Sequence, residues 1–510
     1  MHLVKLILRL IELMKQKEFD DNFEAASVVP APSHDLDIKG ITADSRLVRK
    51  GFLFAALPGA KFDGRNFIQA AIDNGAIAIL AEEGTELPES ASDKDIVLIE
   101  SKEPRRRFAV MAANFYKKQP RVIAGVTGTN GKTSTVHFAA QLWQLLGNKA
   151  ASLGTMGIHA AGFEKGVGKT SGMTTPDPVE LHAALADIDA VGISHLAMEA
   201  SSHGLDQARL DGVAMTVGAF TNLTQDHLDY HGNMEAYLKA KTRLFSHVVI
   251  PGGAAVLNAD IPEYKDIEAV CKSRGQRVIS FGRKGYEVHL LSQESLPNGQ
   301  CIELDVMGRE YKLDLDLIGS FQVQNVLCAL GLVIAEFIDD LERIEKVVKL
   351  LPFLKGVRGR LEKVEGHPKG AHVFVDYAHT PDALENVLNA IRPHTKGELH
   401  VLFGCGGDRD KGKRPKMGRI AKELADHVIV TDDNPRSEKP EQIRKEIMTA
   451  CEGAIEIAGR GESILMALRA LKEGDVLIVA GKGHEQGQCI EGVVHPFDDR
   501  EEILKAIAEL

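Results

Sequence analysis

Short apolar runs alternate along this chain with segments of helical periodicity. Val122–Val126 is apolar and partly β-branched, which predicts a buried parallel strand, and a helical period begins at Thr133. The runs Ile193–Glu199 and Ala254–Asp260 have the same strand-like character, and each ends in polar residues. Strands that alternate with helices form parallel sheets with right-handed crossovers, so the pattern predicts an α/β fold.

The first hundred residues predict a small α/β domain of their own. Gly51–Ala56 and Ala76–Ala81 are predicted strands, and Phe67–Asn74 is a predicted helix between them. A cluster of basic residues then opens the next helix. We therefore expect an amino-terminal domain at residues 1–103, followed by a central domain with a parallel sheet at residues 104–352.

Residues 353–510 repeat one arrangement, in which an apolar strand ends in a polar loop. Because the carboxyl ends of parallel strands meet at one edge of a sheet, the loops after all four strands are predicted to share that edge. Loops crowded with Asp, His, Arg, Lys and Glu indicate a substrate-binding edge. The four predicted strands are Val373–Val375, Leu399–Phe403, His427–Val430 and Val476–Val479.

Composition narrows the class of protein. The chain has 510 residues, too many for one core, and a formal charge of -11, which argues against a nucleic-acid-binding face. Its six cysteines are scattered without CxxC spacing, which favours a reducing cytoplasm. The apolar segment Leu3–Met14 carries charges at helical spacing and is too short to cross a bilayer, so we expect no membrane span.

A glycine-rich turn stands between the strand at Val122–Val126 and the following helix. The turn from Gly128 to Gly131 is followed at once by Lys132 and Thr133. Such a turn presents backbone N–H groups and a helix N-terminus to a phosphate. Lys132 would reach the terminal phosphates, and the Thr133 hydroxyl would complete the shell of a magnesium ion. The usual P-loop has a glycine where this chain has Val126, so the turn is shorter than that motif.

Acidic and histidine residues follow the next predicted strands. Glu199 ends the strand at Ile193–Glu199 and should lie near the phosphate-binding turn, where a carboxylate can bind magnesium. The segment Phe220–His231 crowds two histidines and two acids into one turn, which makes His227 a candidate metal ligand. The neighbouring oxygen donors favour magnesium over zinc. Periodicity does not distinguish among the lysines of the helix that follows.

Six segments of the chain together resemble the Mur ligases of peptidoglycan synthesis. The resemblance extends from about Asp37 onward. It implies three α/β domains, which bind the UDP moiety, ATP and, in a Rossmann-like carboxyl-terminal domain, the incoming amino acid. It also implies that the short phosphate-binding turn is the family's own form. The six segments are Gly128–Thr133, Asn222–His231, Asp376–Pro381, Gly404–Pro415, Asp433–Arg436 and Gly481–Glu485.

The resemblance implies an ATP-dependent ligase that forms an amide bond through an acyl phosphate. Its substrates would be UDP-N-acetylmuramoyl-L-alanyl-D-glutamate and meso-diaminopimelate, with ATP as co-substrate and Mg²⁺ as cofactor. By motif position, Lys241 would carry a carbamate and bind magnesium together with Thr133, Glu199 and His227. The residues implied to bind ATP are Gly128, Thr129, Asn130, Gly131, Lys132, Thr133, Asn258, Arg360, Asp376 and His379.

Two further groups of residues are implied to bind the substrates that the ligase would join. Those implied for the UDP-muramoyl dipeptide are Thr42, Ser45, Thr174, Thr175, Ser201, Gln207 and Arg209. Those implied for diaminopimelate are Arg409, Asp433, Asn434, Pro435, Arg436, Gly481 and Glu485. A guanidinium fork pairs with the second carboxylate of diaminopimelate and repels the bare ammonium of lysine, so diaminopimelate is favoured.

Other functions stay open at this point. The same fold could add lysine or another amino acid, whereas folylpolyglutamate synthase, a more distant relative, is disfavoured by the Asn-Pro-Arg loop. From a different class, the chain could be a nucleotide-binding regulator of wall synthesis without turnover. Such a regulator has no need for Lys132, Glu199, His227 and Lys241 together. We further expect a cytoplasmic monomer that binds no nucleic acid.

Overall fold

The structure is a computed structural model whose described residues fall into two compact units. The first unit contains the described residues up to Val288 together with Leu327–Val347, and the second contains His289–Val326 and Val348–Leu510. The helix predicted at Leu3–Met14 lies outside the described residues, and the boundaries of the three expected domains stay a prediction. The described residues are 28–29, 36–59, 62–91, 94–162, 173–296 and 298–510.

The amino-terminal part of the first unit forms a five-stranded sheet. Its elements are β1 (Val28–Val29), β2 (Gly40–Thr42), β3 (Phe52–Ala55), α1 (Ile68–Asp73), β4 (Ala76–Glu82), β5 (Val97–Ser101) and α2 (Pro104–Tyr116). The strand order is β1-β5-β4-β3-β2, with β2 to β5 parallel and β1 antiparallel to β5. Helix α2 buries Phe108 and Met111 in the same core as Leu53 and Leu80 of the sheet.

The rest of the first unit is built on a larger sheet. Its elements are β6 (Val122–Thr127), α3 (Lys132–Leu145), β7 (Ala150–Gly154), β8 (Gly157–His159), α4 (Pro178–Ala190), β9 (His195–Glu199), α5 (Ser202–Asp206), β10 (Met215–Phe220), α6 (Leu228–His231), α7 (Met234–Arg243), β11 (Val249–Asn258), α8 (Tyr264–Ser273) and β12 (Arg277–Gly282). These strands follow the order β12-β11-β10-β6-β9-β7-β8, and all but β8 run parallel. The carboxyl ends of β6, β7, β9, β10 and β11 therefore meet at one edge, as the sequence predicts.

An antiparallel ribbon and two helices follow in the chain. They are β13 (Val288–Leu296), β14 (Gly299–Val306), β15 (Arg309–Leu315), α9 (Ser320–Ile334) and α10 (Leu341–Val348). The ribbon is absent from the sequence predictions. Among the described residues, one helical stretch, Ser320–Phe337, is long and apolar enough to cross a membrane, but 72% of it is buried inside the protein. Such burial is typical of a core helix.

The second unit contains the sheet that the sequence predicts from four strand-and-loop repeats. Its elements are β16 (Glu362–Val364), β17 (His372–Asp376), α11 (Pro381–Ile391), β18 (Leu399–Phe403), α12 (Lys413–Leu424), β19 (His427–Val430), α13 (Pro440–Met448), β20 (Ile455–Glu456), α14 (Arg460–Ala470), β21 (Val476–Ala480), β22 (Gly487–Ile490), β23 (Val493–Pro496) and α15 (Asp499–Ala508). The order is β16-β17-β21-β18-β19-β20, with only β16 antiparallel. Apolar cores cover both faces of this sheet.

Candidate active site

The turn between β6 and α3 has a backbone conformation that requires glycine, and the side chain of Lys132 folds back onto it. Gly128 and Gly131 have φ angles of 143° and 85°, which side chains rarely adopt. A Cβ on Gly128 would lie 1.9 Å from the Thr221 hydroxyl, so no other residue fits there. Lys132 Nζ donates to the carbonyls of Gly128 and Thr129 at 2.9 and 2.7 Å. The ammonium group is therefore held over the turn that the sequence assigns to phosphate.

Residues after β10 form hydrogen bonds to the backbone of this turn. Asn130 N donates to Asn222 Oδ1 at 2.8 Å, and the Thr221 hydroxyl donates to the Asn130 carbonyl at 2.7 Å. Asn258 Nδ2 in turn donates to the Thr221 carbonyl at 2.7 Å, while its Oδ1 accepts from Asp260 N. Both ends of the Asn258 amide thus have protein partners, and its contact with ATP stays a prediction. The supporting role of Thr221 was missed because it depends on the neighbouring strand.

Glu199 is a buried carboxylate beside the helix that begins at Lys132. Its Oε1 accepts from the Thr133 hydroxyl at 3.0 Å and from Thr155 N at 2.9 Å. A Cβ on Gly154 would lie 2.2 Å from this oxygen, so the strand end has space only for glycine. The parallel topology therefore places Glu199 at the turn as the sequence predicts. Thr155 was missed, although its position just after β7 puts it on the same sheet edge.

Lys241 is buried in the same neighbourhood. Its Nζ donates to the Gly128 carbonyl at 2.7 Å and lies 4.3 Å from the centre of the Tyr237 ring. Burial, and then the nearby charge of Lys132, lower the pKa of Lys241 well below its usual value. A neutral amine is the form that combines with carbon dioxide to give a carbamate. Burial thus separates Lys241 from the exposed Lys239, a distinction that periodicity did not make.

His227 lies in a cluster of aromatic side chains next to the turn. Its ring centre is 4.8 Å from that of His203 and 6.3 Å from that of Tyr237. The Tyr237 hydroxyl is 3.3 Å from the Thr129 hydroxyl, and burial raises the pKa of Tyr237 to about 12. Because its side chain is about half exposed, His227 is accessible to solvent. Its role as a metal ligand stays a prediction.

The residues implied for the muramoyl dipeptide form one hydrogen-bonded group. Thr175 Oγ1 accepts from the Ser201 N–H at 3.0 Å and donates to the Glu199 carbonyl at 3.1 Å. Arg209 donates to the Thr175 carbonyl at 2.7 Å and to Gln207 Oε1 at 2.8 Å. The group is therefore continuous with the backbone of the Glu199 strand.

Three other predicted dipeptide residues make separate contacts in the first unit. The hydroxyl of Thr174 is hydrogen-bonded to that of Thr155 at 3.0 Å. Thr42 is buried, and its hydroxyl accepts from Asp44 N at 3.0 Å. Ser45 begins a short 3₁₀ turn, and its carbonyl accepts from Asn74 Nδ2. Their contacts with the UDP-muramoyl dipeptide stay predictions.

In the second unit, Asp376 ends β17 with a buried carboxylate. Its two oxygens accept from Leu361 N and Ala378 N at 2.7 and 2.8 Å. Burial raises the pKa of Asp376, and the guanidinium of Arg360 partly opposes that effect. This guanidinium lies 4.7 Å from the centre of the ring of Tyr377. Three residues that the resemblance assigns to ATP, Arg360, Asp376 and His379, thus lie around this strand end, and their contact with nucleotide stays a prediction.

Arg436 lies in the loop after β19. Its Nη1 donates to the Gly407 carbonyl at 2.8 Å, and its N–H donates to the Cys489 carbonyl at 2.9 Å. A Cβ on Gly406 would lie 2.7 Å from Nη1, so the glycines of the neighbouring loop make room for the guanidinium. Arg409 is exposed on that same loop. The structure thus brings two of the predicted sheet-edge loops together around Arg436.

A buried lysine connects these loops to the loop after β21. Asn434 Nδ2 donates to Glu485 Oε2 at 2.9 Å, and Lys482 Nζ donates to Asn434 Oδ1 at 3.2 Å. Lys482 also donates to the Gly487 carbonyl at 2.6 Å. At Gly481 a Cβ would lie 2.6 Å from Asp433 Oδ2. Lys482 was missed, although it stands between two residues of a predicted loop.

Comparison with known proteins places the chain in a family. The Mur ligase family catalytic domain matches residues 37–116, the Mur ligase middle domain matches residues 126–333, and the Mur ligase glutamate ligase domain matches residues 359–483. The chain belongs to the Mur ligase family. This finding confirms the family resemblance.

Three similar Mur ligases carry the same name, UDP-N-acetylmuramoyl-L-alanyl-D-glutamate--2,6-diaminopimelate ligase. The protein from Caulobacter vibrioides is 50% identical over 472 residues, which cover 92% of this chain and 95% of the relative. The protein from Zymomonas mobilis is 49% identical over 469 residues, covering 91% and 94%. A solved structure is 31% identical, covers 97% of this chain and 98% of its own, and has a TM-score of 0.68. The three-domain α/β fold is thereby confirmed.

In this Mur ligase a buried ion pair anchors the loops of the second unit. Arg460 donates through Nε and Nη2 to the two carboxylate oxygens of Asp499 at 2.6 and 2.7 Å, and both side chains are fully buried. Arg460 also donates to the Ala480 carbonyl at 2.9 Å and to the Asp432 carbonyl at 3.4 Å. These carbonyls precede Gly481 and Asp433. The pair was missed because its partners are far apart in the sequence.

Proposed function

We propose that this Mur ligase uses ATP to add meso-diaminopimelate to the D-glutamate of UDP-N-acetylmuramoyl-L-alanyl-D-glutamate during peptidoglycan synthesis. The observation that carries the proposal is the 50% identity to the diaminopimelate ligase of Caulobacter vibrioides over 92% of this chain. The geometry of the first unit is consistent with activation of the D-glutamate carboxylate by ATP. The geometry of the second unit is consistent with binding of the incoming amino acid. The enzyme works as a monomer in the cytoplasm.

The first unit activates the carboxylate. The γ-phosphoryl group of ATP passes to the D-glutamate carboxylate, which gives ADP and an acyl phosphate. This transfer depends on positioning and charge neutralisation, and Lys132 supplies a cation over the phosphate-binding turn. The oxygen donors of Thr133 and Glu199, together with His227 and a carbamate on Lys241, would hold Mg²⁺, which would supply additional neutralisation of the phosphates.

The second step forms the amide bond. The neutral amine of diaminopimelate attacks the acyl carbon, a tetrahedral intermediate forms, and inorganic phosphate leaves. The hydroxyl and amide groups of Thr175, Ser201 and Gln207, with the guanidinium of Arg209, hold the muramoyl dipeptide. Since these groups already form one hydrogen-bonded cluster, they are oriented before the substrate binds.

The loops around Arg436 select the incoming amino acid. Diaminopimelate differs from lysine by a second carboxylate at its far end, which Arg436 and Arg409 pair with. Glu485 and the Gly481 backbone accept from the ammonium group at that end. Asn434 and the buried Lys482 hold Glu485 in place, which supports a fixed clamp rather than a loose charged surface. Lysine would offer the guanidinium groups no carboxylate to pair with.

One assay separates this proposal from its alternatives. Purified protein is mixed with ATP, Mg²⁺ and UDP-muramoyl dipeptide, each candidate amino acid is added in turn, and ADP release is measured. We expect release with diaminopimelate and little with lysine. Preference for lysine would contradict the specificity, and binding of ATP without release would favour a non-catalytic regulator. Oxygen-18 in the substrate carboxylate should appear in the released phosphate, and its absence would refute the acyl phosphate.

A further inference from the structure

The amino-terminal edge of the second unit's sheet carries a group of metal-binding residue types, at the opposite ends of the strands from the substrate loops. His400 of β18 and His427 of β19 are direct partners across the two parallel strands. Their rings stack with centres 4.4 Å apart. Glu398 precedes β18, and its Oε2 lies 2.9 Å from His427 Nε2. Because a strand rises about 3.3 Å per residue, the group is about 10 Å or more from the loop that follows β18.

One nitrogen atom of this group, Nε2 of His400, lacks a well-formed hydrogen bond. The His400 side chain is 6% exposed, and its Nε2 is buried without a hydrogen-bond partner. The nearest acid is Asp475, whose Oδ2 is 3.5 Å away. Asp475 is occupied with the backbone, since Oδ1 accepts from Glu398 N and Oδ2 accepts from Lys472 N. A buried ring nitrogen whose nearest acceptor is 3.5 Å away is poorly satisfied, and a ligand at this edge would stabilise it.

The three side chains offer a set of ligand atoms of the right kind and spacing. One ligand atom from each of Glu398, His400 and His427 lies within 4.8 Å of the other two. Ligands of one zinc ion are each about 2.0–2.2 Å from it, so a modest rotation brings the set into range. The side chains of Glu398 and His427 are about half exposed and are free to make that rotation.

We propose that Glu398, His400 and His427 form a Zn²⁺ site that joins the amino ends of β18 and β19. Two imidazoles and one carboxylate are a zinc ligand set in proteins, with water in the fourth position, whereas Mg²⁺ prefers oxygen ligands. The ion takes the place of the direct contact between His427 Nε2 and Glu398 Oε2. The site lies at the strand ends opposite the substrate loops of the second unit, and it does not depend on the proposed ligase activity.

The test is zinc binding to the full-length protein, measured by competition with a chromogenic chelator in excess Mg²⁺. Glu398 and His427 are the residues to change, because both side chains are about half exposed and their replacement leaves the buried core in place. We expect one bound zinc per chain and at least about tenfold weaker binding in His427→Ala and in Glu398→Gln. Unchanged affinity in both variants would overturn the proposal.

Two control variants locate the ion. His372→Ala removes a histidine at the amino end of β17 on the same sheet edge, and His227→Ala removes the candidate ligand in the first unit. Both should bind zinc as the parent does. If only His227→Ala loses zinc, the ion belongs to the first unit and the proposal fails. An anomalous-scattering peak within about 2.2 Å of Glu398, His400 and His427 in zinc-soaked crystals would support the site, and a peak elsewhere would oppose it.

Discussion

Lys132 and Lys241 donate to the same backbone carbonyl, that of Gly128, over 2.9 and 2.7 Å. Burial, and then the repulsion between these two neighbouring amino groups, lower the pKa of Lys241. The two lysines at this turn therefore differ in how strongly they bind a proton. We propose that Lys132 acts as a cation for phosphate and that Lys241 acts as an amine that can be converted into an anion.

Replacing Lys132 tests the first of these roles. Lys132→Met keeps much of the side-chain volume and removes the charge over the turn. We expect ADP formation to fall by about 10²- to 10³-fold, the cost of losing one preorganised electrostatic contact to the transition state. Lys239→Met, at an exposed lysine of α7, is the matched control and should retain parental rates. Equal activity in the two variants would refute the assignment of Lys132.

The lowered pKa of Lys241 predicts a dependence of stability on pH. In the unfolded chain this lysine binds a proton up to about pH 10.5, whereas in the folded protein it releases the proton at lower pH. The unfolded state therefore binds more protons in that window, and the stability contributed by this group rises with pH. Between the lowered pKa of the folded state and about pH 10.5, the free energy of unfolding of the parent should rise with pH more steeply than that of Lys241→Met. Urea unfolding in buffer free of carbon dioxide measures the difference, and parallel curves would contradict it.

The carbamate can be observed directly. Protein equilibrated with carbon-13 bicarbonate should give one carbamate signal in the carbon-13 spectrum. The signal should vanish in Lys241→Met and persist in Lys239→Met, because only a neutral amine combines with carbon dioxide. A signal that survives the loss of Lys241 would place the carbamate on another lysine.

The sequence predicts those contacts around the phosphate-binding turn that the order and direction of the strands determine. The position of Glu199 beside Thr133 follows from parallel strands whose carboxyl ends share one edge, and that rule needs no side-chain detail. To choose between Lys239 and Lys241, one has to know which side chain is buried. Burial is a property of the folded unit and cannot be taken from helical periodicity. Thr155 was missed for a different reason, because it follows a short strand of small residues that gives a weak pattern.

Arg436 should control the choice of amino acid. Arg436→Ala removes the guanidinium that the Gly406 and Gly407 backbone accommodates, so the far carboxylate of diaminopimelate loses its charged partner. We expect the apparent affinity for diaminopimelate to fall by about 10- to 100-fold, as for one charge-assisted hydrogen bond, with little change for ATP. Arg419→Ala, at an exposed arginine of α12, is the control. Unchanged kinetics with diaminopimelate would remove the structural basis for its selection.

The buried pair Arg460–Asp499 should matter more for stability than an exposed pair of similar geometry. Arg460→Met leaves Asp499 buried without its partner, and we expect unfolding to need about 3–5 kcal/mol less. Arg277 and Asp339 form a similar two-pronged pair at the surface, and Arg277→Met should cost less than about 1 kcal/mol. Urea unfolding compares the two.

The double variant Arg460→Met with Asp499→Leu completes that experiment. Since it leaves no unpaired buried charge, its loss of stability should be smaller than the sum of the two single losses. Strict additivity would show that the two side chains act independently. The pair also shows a limit of sequence analysis, since nothing local to α14 or to α15 indicates that their first residues meet.

Arg436 combines a functional side chain with a backbone conformation that suits other residues better. Its φ angle is 54°, in the left-handed region that costs a side-chain-bearing residue about 1 kcal/mol and that glycine and asparagine tolerate. Directed evolution that rewards heat resistance alone should therefore replace this arginine by one of those two. The resulting enzymes would survive heating better but would discriminate between amino acids less well. Any such screen therefore also has to select for cells whose growth depends on adding diaminopimelate to the wall precursor.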